Sequence, residues 1–436
     1  MRKVAFYTLG CKVNQSDSAS MAEIFQNNNY EVVSFDEAAD VYVINTCVVT
    51  NTAQKKSRRI INRVAKKKND AIIVVSGCYP QTDDEEVRNI EGIDLIIGNQ
   101  DRARVCELVD RLREKDSKQT DLLDEAYKWG KETEFENMHV GSTTDKTRAF
   151  LKIQEGCNQY CSYCIIPYAR GPLRSRSLTS IKGEVERLVK VGFKEIVLLG
   201  IHLGAYGRED GSKCNLTDAV KTVLEIDGFA RVRLGSLESI EVDDELVNMI
   251  GSNPRLCKHL HLPLQSGSDK ILKSMHRPYN AKKYLELAKK IKKISPNIAI
   301  TTDIIVGFPG ETDEDFINTV ELAKKVGFSK IHVFPFSPRK GTPAEKFDGI
   351  VPENVKKARV DKLTNLSNEL HKEFCNSLVG TIQEVLLEQK ASNGFMEGLS
   401  GNYVRVYVDI NEKEANKIYK VKINKTFEDG VFGEIL

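Results

Sequence analysis

Over residues 2–112, short β-branched and apolar runs alternate with stretches whose apolar residues recur at helical spacing. Val4–Thr8, Val41–Asn45, Ile72–Ser76 and Leu95–Ile97 read as strands. Ser16–Asn28, Thr52–Lys68 and Asp101–Arg113 read as helices. Alternating β and α predicts an open parallel sheet. From 114 to 147 the chain turns polar and charged, which predicts a linker with a short strand pair around His139. The βα rhythm resumes at Arg148. Ala149–Gln154, Glu195–Gly200, Arg231–Leu234, His259–Leu262, Ala299–Val306 and Lys330–Phe334 are the expected strands. Helices are expected between them, among them Ile181–Lys190, Asp243–Ile250, Ala281–Ile294 and Asp313–Lys325. Six βα units predict a barrel or partial barrel. A helix at Glu353–Asn376 follows, and then the period shortens to two. Thr381–Glu388, Tyr403–Asp409 and Lys417–Ile423, with Asn-Gly and Ser-Gly turns, predict a small antiparallel barrel. The expected α/β organisation is thus 1–113, a linker 114–147, 148–377 and 378–436.

Composition narrows this little. The chain has 436 residues, 41% hydrophobic and 29% charged, which excludes wholesale disorder. Lys and Arg number 64 against 62 Asp and Glu, so a uniformly basic nucleic-acid binder is excluded but a local basic patch is not. The N-terminus lacks the apolar core of a secretory signal, and no apolar run approaches the roughly 18–20 residues that cross a bilayer. The expectation is a soluble cytoplasmic protein. In that reducing compartment ten cysteines are free thiols or metal ligands before they are disulfides.

Three cysteines, Cys157-x3-Cys161-x2-Cys164, follow the expected strand Ala149–Gln154. The carboxyl end of a barrel strand is the active-site end. Three thiolates on one loop hold three corners of a cubic iron–sulfur cluster and leave one iron open to a small molecule. Zinc is the competing reading, but a structural zinc site closes four ligands and would need a distant partner. Cys11, Cys47 and Cys78 each follow a different strand of the first sheet. In a parallel sheet all three fall on one edge, where ligands bind. The pattern leaves open whether they hold a second cluster or pack as buried free thiols. Cys106, Cys214, Cys257 and Cys375 share no pattern.

At these residues the sequence resembles the radical S-adenosylmethionine (SAM) methylthiotransferases over essentially its whole length. The resemblance is carried by Thr8–Gln15, the Cys157–Cys164 motif, His261–Ser268 and Asp303–Glu311, with the spacing of the three N-terminal cysteines. It implies an N-terminal methylthiotransferase domain, a radical SAM domain and a C-terminal RNA-binding TRAM domain. By that resemblance Cys157, Cys161 and Cys164 are ligands of a SAM-binding 4Fe–4S cluster, and Cys11, Cys47 and Cys78 are ligands of an auxiliary one. It also implies radical activation of an inert C–H bond and transfer of CH3–S. An electron donor of flavodoxin or ferredoxin type is expected.

Other calls are weaker. Gly200 and Gly204, in the loop after the second barrel strand, and Gly307 and Gly310, after Ala299–Val306, could let the backbone approach SAM; plain turns explain them equally. Glu238 and Gln265 lie near expected strand ends, and His202 has either a ligand or a structural role. Leu9-Gly10-Cys11-Lys12-Val13-Asn14-Gln15 and the Gly200–Gly207 segment resemble the branch acting on N6-threonylcarbamoyladenosine at tRNA position 37. The alternatives are isopentenyl-modified adenosine or a ribosomal-protein aspartate. A non-enzymatic iron–sulfur protein that binds RNA or transfers electrons is disfavoured by the open three-cysteine loop, since electron carriers close all four positions.

Local charge fits RNA. Lys55–Lys68 is rich in Lys and Arg, including Arg58, Arg59 and Arg63, without one acid. Arg170, Arg174 and Arg176 make a second expected patch. From Leu378 onward, seven Lys and Arg face nine Asp and Glu, so RNA contact there would need one basic face. Tyr403, Arg405 and Tyr407 alternate along one expected strand and could present it.

Overall fold

The computed structural model describes residues 1–67, 70–114, 129, 134–141, 147–209, 211–411 and 414–436. The N-terminal strands are β1 (Arg2–Thr8), β2 (Tyr30–Val33), β3 (Val41–Thr46), β4 (Ile72–Gly77) and β5 (Leu95–Ile97). They pair in parallel in the order β2-β1-β3-β4-β5. Helices α1 (Lys12–Asn27) and α2 (Asn51–Lys67) connect them, and α3 (Cys78–Thr82) follows β4 directly. β3 and β4 are apolar without alternation because helices cover both faces. The chain winds outward in both directions from the β1/β3 pair. That reversal opens a crevice at the carboxyl ends of these two strands.

The expected strand pair around His139 is not formed: described residues 134–141 carry no strand. This stretch is instead pinned to the barrel, where the Glu184 carboxylate accepts from Val140 N–H at 2.8 Å and meets His139 Nδ1 at 2.5 Å. Most of the expected linker 114–147, and Lys68 of the expected helix, lie outside the described residues.

The middle of the chain forms β6 (Arg148–Glu155), β7 (Arg174–Ser175), β8 (Glu195–Gly200), β9 (Arg231–Leu234), β10 (His259–His261), β11 (Ala299–Val306) and β12 (Lys330–Pro335). Two sheets result, β7-β6-β8-β9 and β10-β11-β12. Single bridges, Val232 to Leu256 and Ser236 to His261, join β9 to β10. The six parallel strands therefore form the expected partial barrel, with β7 as an antiparallel edge strand on β6. The largest hydrophobic core lies between these strands and their helices.

Helix Glu353–Ser377 leads to β13 (Ile382–Lys390), β14 (Met396–Ser400), β15 (Arg405–Val408), β16 (Ile418–Phe427) and β17 (Gly430–Ile435). They close as β13-β14-β15-β17-β16, antiparallel except for β15 with β17. Its core holds Cys375, which is packing, not chemistry.

Buried ion pairs weld the parts together. Arg102, on the first domain, reaches Asp17 at 2.5 Å and Glu155 at 3.0 Å. Lys152 reaches the same two carboxylates at 2.6 and 2.9 Å, and Arg170 at 3.0 and 2.6 Å. On the far side, buried Glu195 accepts from Arg231 at 2.5 Å and Arg233 at 2.7 Å. Those arginines donate onward to the backbone carbonyls of Glu384, Leu399, Ser400 and Gly401 in the C-terminal barrel.

Candidate active site

Cys11, Cys47 and Cys78 stand at the carboxyl ends of β1, β3 and β4, around the crevice. Gly10 has φ +104°, and a Cβ there would lie 2.9 Å from Cys47 Cβ and 3.0 Å from its Sγ. Only glycine lets the two loops approach this closely. Asn14, on the first turn of α1, locks them by donating to the carbonyls of Leu9 (2.8 Å) and Thr46 (2.9 Å). Its Oδ1 accepts from Cys11 Sγ at 3.7 Å and from Arg170. Asn99 donates to Cys78 Sγ at 3.6 Å and to the Ala169 carbonyl at 2.8 Å. Burial, then the neighbouring Cys78 charge, pushes the Cys47 thiol up to about 11.

Cys157, Cys161 and Cys164 occupy the loop after β6. Gly156 (φ +76°) turns the chain so tightly that a Cβ would fall 1.7 Å from the Pro172 carbonyl oxygen. Cys157 Sγ lies 3.4 Å from His202 Nδ1, and His202 Nε2 is 2.8 Å from Glu241. Cys161 Sγ accepts from Arg277 at 3.3 Å, and Arg277 is held by Glu238 and by the Tyr279 hydroxyl at 3.2 Å. Burial raises the Cys161 and Cys164 thiols; Arg277 opposes this at Cys161, and Cys161 adds to it at Cys164. Buried thiols that repel one another when ionised suit a cationic centre, which takes them as thiolates and removes that cost. Both triads could hold one, and the triad on one loop leaves a coordination position free for a ligand. Arg277 and Asn99 escaped the sequence reading because each acts on residues distant in the chain, and Asn14 stood in the quoted motif with no role assigned to it.

A cavity of about 840 Å3 runs from Cys11 past Gly200 and Ile201 into the open barrel, ending against the C-terminal barrel at Tyr403. His261 and His332 line it, and their ligand atoms and that of Asp303 lie within 4.8 Å of one another.

Several expectations change. Gly204 makes room for Glu241 and Gly307 for Lys356: a Cβ would fall 2.1 and 2.2 Å from those side chains, so protein fills both spaces. Gly200 does line the cavity, and Gly310 faces open space. Gln265, at φ +63°, extends the β11 edge through backbone hydrogen bonds. Arg170, Arg174 and Arg176 are no phosphate patch, because all three are buried. Pairing of β7 with β6 turns the latter two inward. Arg174 donates to the Pro172 and Arg170 carbonyls, and Arg176 to Ser180 and the Met138 carbonyl. Tyr403 is not on a strand; its φ of +64° aims it into the cavity, stacked on His259 at 4.7 Å between centroids. Tyr407 is buried, and exposed Arg405 pairs with Glu397 at 2.9 Å, so the three make no common face. Arg58, Arg59 and Arg63 are exposed on α2, flanking a shallow groove with Lys55 and Lys66.

Residues 3–98 match Uncharacterized protein family UPF0004, and residues 151–323 match the Radical SAM superfamily. The Bacillus subtilis (strain 168) protein named threonylcarbamoyladenosine tRNA methylthiotransferase MtaB is 40% identical over 445 residues, covering 100% of this chain and 97% of its own length. The chain belongs to the radical SAM methylthiotransferase family. The tRNA-2-methylthio-N(6)-dimethylallyladenosine synthase of Clostridium tetani (strain Massachusetts / E88) is 35% identical, covering 98% of this methylthiotransferase and 95% of its own length. Among solved structures, the radical SAM methyltransferase TsrM from Kitasatospora setae superposes with a TM-score of 0.58 at 13% identity. That match covers 88% of the methylthiotransferase and 80% of TsrM, and shows a shared fold. As a radical SAM enzyme the methylthiotransferase works with SAM and a 4Fe–4S cluster. No helix among the described residues is long and apolar enough to cross a membrane.

Proposed function

We propose that the enzyme methylthiolates C2 of N6-threonylcarbamoyladenosine at position 37 of tRNA. In this reading Cys157, Cys161 and Cys164 hold the SAM-binding 4Fe–4S cluster, and Cys11, Cys47 and Cys78 hold an auxiliary one. The observation that carries it is that the two triads share one neighbourhood. Cys11 lines the same cavity as Gly200 and Ile201. Asn99 bridges Cys78 to Ala169, on the short helix just after Cys164. When bound, SAM and the two clusters supply a carbon radical, a transferable sulfur and a methyl group.

The protein's own part is placement. Arg277 and His202 fix two thiols of the loop triad, and Asn14 fixes the loops of the other. The barrel wall and the C-terminal barrel enclose the target base and keep side reactions with other hydrogen donors away from the reacting centre. Arg58, Arg59 and Arg63 on α2 track tRNA phosphates outside the cavity, and Arg405 marks the RNA-facing rim of a TRAM-type C-terminal barrel. Arg58 is partly engaged by Glu86 at 2.6 Å, so Arg59 and Arg63 are the freer contacts. A small flavodoxin or ferredoxin supplies electrons, in the cytoplasm.

Nucleoside analysis of tRNA from a strain lacking this gene tests the reading. The methylthio form of threonylcarbamoyladenosine should vanish and return on complementation. Unchanged levels in a strain with no second such enzyme, or loss of the methylthio form of isopentenyladenosine instead, would refute it.

A further inference from the structure

The cavity wall has an uneven charge balance. Its carboxylates, Glu388, Glu397 and Asp429, are matched by Arg148 (2.7 Å to Glu388) and Arg405 (2.9 and 3.5 Å to the other two). Arg233 is matched by Glu195 at 2.7 Å. Lys12 and Lys330 line the same wall and have no carboxylate partner among the described residues. Lys12 Nζ instead donates to the Tyr403 hydroxyl at 3.1 Å and lies 5.1 Å from its ring centroid. Arg233 lies over the same ring at 4.7 Å.

Asp303, 3.3 Å from His261, adds one carboxylate near this wall, which leaves the two ammonium groups of Lys12 and Lys330 in excess of it. Burial, Arg233, His261 and Lys12 hold His259 neutral, well below the usual imidazole range. Burial also lowers His332; Asp303 opposes it, and His261, Lys330 and Lys12 add to it. Burial would raise the Tyr403 phenol, yet Lys12 and Arg148 outweigh it and pull it down. A partly enclosed pocket with two unmatched ammonium groups and a polarised phenol suits an anion. Its volume is that of a small-ligand site, and its wall includes Cys11, beside one of the proposed clusters.

We propose that Lys12, Lys330 and Tyr403 form the subsite for a carboxylate carried on the N6 substituent of the target base. The inference rests on the proposed substrate, since the threonyl group brings that carboxylate and an isopentenyl group brings none. The same cations could instead take a phosphate of a flanking nucleotide, and the test separates the two.

The reconstituted full-length enzyme is given three anticodon stem–loops, carrying threonylcarbamoyladenosine, its methyl ester or isopentenyladenosine. Both kcat/KM and Kd are measured for each. The wild type should prefer the acid by roughly 10- to 100-fold, the range of a charge-assisted hydrogen bond to carboxylate. K12Q/K330Q should bring that preference close to unity, and K12R should retain most of it. Y403F and the single variant K330Q, which leaves the loop of Cys11 untouched, should each reduce it part-way. The ratio is internal to each variant, so a general loss of activity does not mimic the effect. A preference that survives K12Q/K330Q overturns the inference. Equal weakening of acid and ester also overturns it and assigns the cations to a phosphate. A wild type that turns over only the isopentenyl stem–loop refutes the substrate reading, and the inference with it.

Discussion

Cys157, Cys161 and Cys164 are brought together by one loop, held by Gly156 and two neighbouring side chains. Cys11, Cys47 and Cys78 meet only because three parallel strands end on the same edge. The first triad needs local geometry; the second needs the whole sheet in register. Metal loading of the second should therefore be coupled to folding of the N-terminal domain, and loading of the first far less so.

Removing single thiols gives the largest separation. Cys161→Ala should abolish formation of 5′-deoxyadenosine from SAM. Cys47→Ala should keep it while ending methylthiolation. Loss of SAM cleavage in a folded Cys47→Ala protein would erase the division between the triads. Next is Gly10→Ala, whose Cβ must enter the space of Cys47. Iron content after reconstitution should fall to about half that of the wild type, with one cluster's electron paramagnetic resonance signal retained; an unchanged iron count would contradict the sheet-edge triad.

A third test addresses the region between the triads. Asp17→Asn leaves Arg102, Lys152 and Arg170 around a single buried carboxylate, Glu155. Breaking such a network typically costs about 3 to 5 kcal/mol, visible as a lower midpoint in denaturant unfolding. A change below about 1 kcal/mol would mean that the network does not hold the domains together.

The smallest effect concerns a site remote from both triads. Burial alone would raise the Glu195 carboxyl, but Arg233 and Arg231 overcome it and hold the pKa at about 2, below the ordinary 4.5. Its stabilisation is complete above about pH 4.5 and is lost as pH falls through 2. The loss should amount to about 3 kcal/mol and be absent from Glu195→Gln, whose acid-unfolding slope should be shallower over that range. Equal slopes would remove Glu195 from the acid response.

This contrast also explains what the sequence conveys. The βα rhythm and the loop triad were legible because both are local patterns. The sheet-edge triad was legible only through the rule that parallel strands end together, and family resemblance decided it. Strand β2 is a four-residue edge strand exposed at Glu31 and Val32, so no continuous apolar run marks it. β14 was hidden by Gly398, which lets Leu386 approach: a Cβ there would fall 2.1 Å from its carbonyl oxygen. The basic stretch after Cys164 looked like an RNA surface because the partners that bury it, Asp17 and Glu155 for Arg170 and backbone carbonyls for Arg174 and Arg176, leave no mark in the local sequence. Tyr403 read as a strand residue because a left-handed backbone leaves no mark in a two-residue period.

Arg231 and Arg233 grip the C-terminal barrel by its main-chain carbonyls. Every residue type offers a carbonyl, so these four contacts are indifferent to side-chain identity, unlike the Arg148–Glu388 pair and the contacts of Tyr403 beside them. The barrel's outer face is thus free to drift over generations, or to be exchanged between relatives, without losing its seat on the enzyme.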